Sequence, residues 1–131
     1  MTRLVVDTSA LIAICLDEPE AAVMRQTMAE CTQLWISAPS MLELGIVGLQ
    51  RGIASESLSL LESFNIKVAA FDEALAKEAI AAFERFGKGR HKAALNFGDC
   101  CSYALAQSRD LPLLFKGSDF SQTDVRIALH N

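Results

Sequence analysis

The chain is poor in the residues from which many active sites are built. Its 131 residues include only two histidines, one tryptophan, one tyrosine and three prolines. His91 sits in a basic stretch and His130 stands beside the C-terminus, read as frayed, so paired-histidine acid–base catalysis is disfavoured. No Gly-x-Ser-x-Gly elbow precedes a helix, which disfavours a Ser-His-Asp hydrolase. The four cysteines, Cys15, Cys31, Cys100 and Cys101, show no Cys-x-x-Cys spacing. Adjacent cysteines in a helix point in different directions and do not readily bridge, so all four read as small apolar residues. No apolar run approaches the ~18 residues of a membrane span; the most apolar stretch, Met41 to Leu49, is broken at Glu43. Met1-Thr2-Arg3 leads into three apolar residues before Asp7, which is no secretory signal. A cytoplasmic chain with no membrane contact is expected. Positive charge is not in excess either: 12 Lys and Arg face 16 Asp and Glu, for a net charge of −4. That balance argues at first sight against a generic basic nucleic-acid binder.

Apolar residues, in contrast, make up 51% of the chain. Surface scaling gives roughly 6,800 Å² exposed when folded against roughly 20,600 Å² unfolded, enough to bury a core without metal or disulfide staples. The length fits one domain over residues 1–131. Short apolar runs at Leu4–Val6, Leu34–Ser37, Ile66–Ala69 and Leu111–Phe115 read as strands, and Val125–Leu129 as a fifth, edge strand. Helices are expected over Thr8–Leu16, from Asp17-Glu18-Pro19 to about Cys31, and from Pro39-Ser40 to Gly52. Others follow from Ser55 to Phe64, from Asp72 to about Phe86, and from about Gly98 to Ser108. Strands alternating with longer helices imply a parallel sheet with helices on both faces.

Five acidic residues stand out by their position in this pattern. Asp7 ends the first strand, and Asp119 follows the fourth through a glycine turn. Glu43 and Asp99 lie in first turns of helices, and Asp124 follows Thr123. Singly, each has an ordinary explanation. Asp7 is a plain N-cap, Ser40-x-x-Glu43 and Asn96-x-x-Asp99 are capping-box spacings, and Asp119 is a turn former. Jointly, strand ends and the following helix starts converge on the carboxyl edge of a parallel sheet, where ligands bind. Two like charges 4 Å apart repel by roughly 4 kcal/mol at an effective dielectric near 20, and Lys116 is the one cation nearby in sequence. Such a cluster makes sense around a hard divalent cation, and an all-oxygen donor set favours Mg²⁺ or Mn²⁺ over Zn²⁺.

Four segments in order resemble the motifs of a known family. They are Val6-Asp7-Thr8-Ser9-Ala10, Ser37-Ala38-Pro39-Ser40-Met41-Leu42-Glu43, Leu95-Asn96-Phe97-Gly98-Asp99-Cys100, and Leu114-Phe115-Lys116-Gly117-Ser118-Asp119-Phe120 with Thr123-Asp124. Together they resemble a PIN-domain ribonuclease of the VapC toxin type, over nearly the whole chain. The resemblance implies a three-layer α/β/α sandwich on a five-stranded parallel sheet. It also implies Mg²⁺- or Mn²⁺-dependent endonucleolytic cleavage of RNA, by a homodimer held inactive by a cognate, VapB-like antitoxin. By position, Asp7, Glu43, Asp99 and Asp119 match the acidic catalytic quartet, Asp124 a further acidic position, and Thr8 or Ser9 and Asn96 supporting polar ones. Lys92 stands where many relatives have proline.

On this reading Asp7 and Asp99 bind the principal metal ion, with Glu43 and Asp119 around it or at a second metal, and Lys116 close by. Glu43 is suited to orient the attacking water. Arg85, Lys88, Arg90, His91 and Lys92 form a glycine-flanked basic loop. It is either a solvated loop or an arm on which Lys88, Arg90 and Lys92 contact RNA phosphates. Met41, Leu42, Ile46, Leu58, Leu61 and Phe64 are either core or a face for a second copy or an antitoxin segment.

Two other classes compete. A receiver-like metal-dependent switch also has an acidic pocket and a late lysine, but expects adjacent acids where Asp7 is followed by Thr8-Ser9. A degenerate domain that only binds antitoxin or RNA is disfavoured by the intact quartet. Setting aside Asp7, Glu43, Asp99, Asp119 and Asp124 leaves 11 acidic residues against 12 basic ones. The net acidity is therefore compatible with an enzyme acting on RNA.

Overall fold

A computed structural model describes residues 3–129; His130, Met1 and Thr2 lie outside the described residues. The elements run β1 (Arg3–Val6), α1 (Thr8–Cys15), α2 (Ala21–Ala29), β2 (Gln33–Ser37), α3 (Ala38–Arg51) and α4 (Ala54–Ser63). They continue with β3 (Lys67–Ala69), α5 (Glu73–Phe86), α6 (Phe97–Arg109) and β4 (Leu113–Leu114), then a 3₁₀ turn over Phe120–Gln122. The strands pair in the order β3-β2-β1-β4, all parallel, with Leu4 opposite Leu34 and Val5 opposite Leu113.

The central strand explains the layering. Leu4, Val5 and Val6 are completely buried because both faces of the sheet are covered. Leu4 and Val6 point into one core with Ala10, Leu11, Met24, Leu44 and Leu60, from α1 to α4. Val5 points the other way, into a second core with Ala82, Phe86, Tyr103, Leu105 and Phe120. The side-chain alternation of a strand thus divides the helices into two outer layers.

The expected fifth strand does not form. Among the described residues the sheet has four strands. The 125–129 segment makes a single rung: the Leu113 N–H donates to Arg126 O (2.9 Å), and the Ala128 N–H donates to Leu113 O (3.0 Å). β4 is only two residues long and follows Pro112, which has no N–H to donate, so little edge is left to pair with.

Helix starts also differ from expectation. Asp17 has a left-handed backbone (φ 52°), so Asp17-Glu18-Pro19 is a turn and α2 begins at Ala21, without a side-chain cap. Ser37 rather than Ser40 caps α3, with Pro39 in its first turn, and α4 starts at Ala54 behind Ile53. Asp72 caps α5 as expected, and Gly52 ends α3 at φ 72°. No helix among the described residues is long and apolar enough to cross a membrane.

Candidate active site

Asp7 sits where β1 ends and α1 begins, only 4% exposed. Its Oδ2 accepts the Ser9 N–H (3.0 Å), the ordinary N-cap bond, and its Oδ1 accepts the Ser102 hydroxyl of α6 (2.5 Å). The Thr8 hydroxyl donates to Ser40 O (3.0 Å), joining α1 to α3. The Ser9 hydroxyl accepts the Lys116 N–H (3.0 Å), joining α1 to the loop after β4. The two polar residues that follow Asp7 thus brace the junctions on either side of it.

Glu43 is half-buried on α3 and packs against the start of α6. A Cβ at Gly98 would lie 2.9 and 3.0 Å from its two carboxylate oxygens, so a side chain there would displace the Glu43 carboxylate from this position. Because Ser37 is the cap of α3, Glu43 is not engaged in a capping box. Burial pushes its pKa up and the Asp7 charge adds to this, while the Thr8 hydroxyl acts in the opposite direction.

Asp99 does form a capping box with Asn96. The Asn96 side chain accepts the Asp99 N–H (2.9 Å), and Asp99 Oδ2 accepts the Asn96 N–H (3.1 Å). The ordinary explanation of this spacing therefore holds, and it leaves Asp99 Oδ1 free of the capping ring. Burial first, then the charges of Asp7, Asp119 and Glu43, push the Asp99 carboxyl up to about 6, against the opposing Asn96 bond. Asp119 is exposed at the head of the 3₁₀ turn, with no side-chain cap bond. The four carboxylates come from four separate segments, and Asp99 feels the other three.

Lys116 does not neutralise this group. Its ammonium binds Glu18 and lies 3.6 Å from Glu20, in the turn before α2. Asp124 also stands apart: it accepts the Tyr103 hydroxyl and lies 3.6 Å from Arg85. Burial and the neighbouring Asp124 push the Tyr103 hydroxyl up to about 12. Asp124 is absent from the charges that bear on Asp99.

The basic loop leads straight into α6 and is pinned at its base. The Lys88 N–H donates to Leu95 O (2.9 Å) and the Leu95 N–H to Phe86 O (3.0 Å). Arg90 donates through Nε to Glu84 O (3.1 Å), and Arg85 lies over the Phe86 ring. His91 accepts the Ala93 N–H at Nδ1 and meets Phe86 edge-on, a structural role. Lys88 and Lys92 have no ion pair among the described residues.

Beside the acidic edge, Phe97 is 79% exposed at the junction of two apolar hollows. One, of about 510 Å³, is lined by Phe71, Ile80 and Phe83; the other, of about 580 Å³, by Pro39, Leu42 and Ile46. Leu61 and Phe64 pack on the core, whereas Met41, Leu42, Ile46 and Leu58 stay exposed. Burial pushes the Cys100 and Cys101 thiols up to about 11, which keeps them protonated and inert.

No three His, Cys, Asp or Glu side chains among the described residues converge closely enough to chelate an ion as they stand. The donor chemistry nevertheless fits a hard cation. The quartet is all oxygen, Asp99 carries the cost of three like charges, and a cation would offset that cost.

Behind Asp7, Ser37 and Ser40 of the second motif join Ser102, a residue that sequence reasoning missed, in a buried cluster. Ser102 carried a faint signal. It lies three residues after Asp99, on the same helix face, and within the run Cys100–Ala106, which is buried throughout. A polar group inside such a run needs a partner.

The PIN domain pattern matches residues 4–126. The chain is 47% identical over 130 residues to "Ribonuclease VapC28" of Mycobacterium tuberculosis, covering 96% of this chain and 98% of that one. Its fold is similar to that of M. tuberculosis VapC20, described as a sarcin-ricin loop cleaving toxin. The TM-score is 0.75 at 16% identity, over 93% and 95% of the two chains. It is also similar to a chain of a toxin–antitoxin complex from Klebsiella pneumoniae, with a TM-score of 0.71 at 19% identity over 92% of each. Matched along almost its whole length, the chain belongs to the PIN-domain family, in its VapC group.

Proposed function

We propose that this chain is a metal-dependent endoribonuclease, the toxin of a toxin–antitoxin pair, acting on RNA in the cytoplasm as a single domain. The observation that carries the reading is the charge arrangement. Asp99, at the start of α6, feels the like charges of Asp7, Asp119 and Glu43, while the nearby cation, Lys116, is taken by Glu18 and Glu20. A purely structural cluster would gain from a salt bridge there.

Asp7 and Asp99 are the ligands for Mg²⁺ or Mn²⁺, with Glu43 and Asp119 beside them. When bound, such an ion would lower the pKa of water in the crevice and offset charge on the phosphate oxygens. Glu43, its pKa raised by burial, is placed to orient the attacking water and take up a proton. Asn96 holds Asp99 through the capping box, and Thr8 and Ser9 brace the loops around Asp7. Lys88 and Lys92, with Arg90 behind them, offer positive charge to RNA next to α6. The hollow lined by Phe71, Ile80 and Phe83, beside Phe97, is the seat for an apolar segment of a VapB-like antitoxin. The exposed face of Leu42, Ile46 and Leu58 serves a homodimer.

The test is incubation of the purified chain with total RNA plus Mg²⁺, Mn²⁺ or EDTA, alongside Asp99→Asn. Cleavage is expected with either metal and is abolished by EDTA. The variant should lose at least about 100-fold in rate with unchanged circular dichroism. Full activity in Asp99→Asn overturns the assignment, and binding without cleavage by the wild type favours a degenerate domain.

A further inference from the structure

A one-way chain of three hydroxyls ends on Asp7. Ser37 Oγ accepts the Ser40 N–H (3.1 Å) and donates its own proton to Ser40 Oγ (2.8 Å). Ser102 donates to Asp7 Oδ1, and Ser40 and Ser102 lie 3.1 Å apart. A hydroxyl has one proton to give. Since Ser102 spends its proton on Asp7, the bond between Ser40 and Ser102 must be donated by Ser40. Every proton in the chain therefore points towards the carboxylate.

The three serines are no more than 1% exposed, so none is placed there to meet water. Exchanging a buried, paired polar cluster for apolar groups of similar shape is often nearly neutral for stability, so folding alone does not call for them. What they do is geometric. The chain runs from the β2–α3 junction through α6 to the β1–α1 junction, the segments that carry Glu43, Asp99 and Asp7. With Ser9 N–H on Oδ2 and Ser102 on Oδ1, both Asp7 oxygens are held and the carboxylate cannot swing.

We infer that Ser102, backed by Ser40 and Ser37, is a positioning residue that sets the orientation of Asp7 for a divalent cation. This rests on the proposed metal-dependent reading. Removing a partner that orients a metal ligand typically costs about 10–100-fold in metal affinity.

Mn²⁺ binding, followed by the electron paramagnetic resonance of the free ion, tests this without any RNA. Ser102→Ala should weaken Mn²⁺ binding by about tenfold or more, and Ser40→Ala by a smaller factor. Because Ser40 acts through Ser102, the double variant should bind no more weakly than Ser102→Ala alone, a non-additive result. Metal-free melting temperatures report packing separately. Mn²⁺ affinity unchanged in Ser102→Ala, or additive losses in the double variant, overturns the inference. If Ser102→Ala does not fold, Ser40→Ala decides it, since that variant keeps the Asp7 contact; unchanged affinity there is equally fatal. A wild type that binds no Mn²⁺ overturns the metal-dependent reading itself, and the inference with it.

Discussion

Asp119 and Asp124 lie in the same C-terminal loop and have opposite surroundings. Asp124 is held by the Tyr103 hydroxyl and faces Arg85. Asp119 has no cation within salt-bridge distance among the described residues and adds its charge to Asp99. The same contrast separates Glu18 and Glu20, which share Lys116, from the quartet, which has no such partner. Acidic side chains are common to both regions; the cations are confined to one. On the proposed reading, the four acids that have no cation partner among the described residues are the ones kept for a positive ligand. Exposed pairs such as Arg85–Asp124 contribute little stability, so the segregation matters more for the crevice than for the clamp.

The largest expected effect that can break this comparison is metal-dependent stabilisation. Mn²⁺ at about 100 times its Kd should stabilise the wild type by about 2.7 kcal/mol, a rise in Tm of roughly 10 °C. Asp99→Asn should show a much smaller shift in the same scanning calorimetry experiment. Equal shifts would mean that the quartet does not bind the ion.

A middle-sized effect sets one acid against the other in EDTA. Asp124→Asn loses a charge-assisted bond and should be destabilised by about 1 kcal/mol. Asp99→Asn relieves like-charge repulsion and should melt no lower than the wild type at neutral pH. The pH dependence follows from the Asp99 carboxyl, whose folded-state value near 6 lies above its ordinary 3.8. The folded chain holds this proton more tightly than the unfolded one, so ionisation costs stability as pH rises from about 4 to 6. The advantage of Asp99→Asn should open across that window and stay level above it. An advantage that is already complete at pH 4 would disconnect Asp99 from the repulsion.

The smallest effect concerns the free cations. Neutralising Lys88 and Lys92 together should flatten the salt dependence of RNA binding by about 1.4 in logarithmic slope, roughly 0.7 per charge. Arg85→Ala, already paired, should leave the slope nearly unchanged. Equal slopes in all three proteins would make the loop a merely solvated one.

How far the sequence could be read depended on the range of each interaction. Asp7, Asp72 and Asn96 were legible as caps because a cap acts within three residues. The buried β1 run and the order of strands and helices were legible for the same local reason. The start of α2 was not, since Pro19 signals a first turn only if Asp17 keeps ordinary backbone angles, and it adopts φ 52°. The fifth strand looked sound in isolation, but pairing depends on a partner, and β4 offers one rung. Within the site, residue types and positions singled out Asp7, Glu43, Asp99 and Asp119, whose charges bear on one another through Asp99. The engagement of Lys116 by Glu18, the Tyr103–Asp124 bond and the serine chain join residues 21 to 98 positions apart, or converge from separate elements. No local pattern announces such contacts.

The reciprocal Asn96–Asp99 bonds have one more consequence. The N–H groups of Asn96 and Asp99 are held by the very side chains that flank and form the acidic edge. Their hydrogen exchange is therefore a built-in gauge of the site. Any ligand that draws Asp99 Oδ2 away from its helix frees the Asn96 amide to exchange faster, while one that leaves the capping ring closed does not. A ligand that opened the capping ring would thus be read as a faster exchange rate in the first turn of α6.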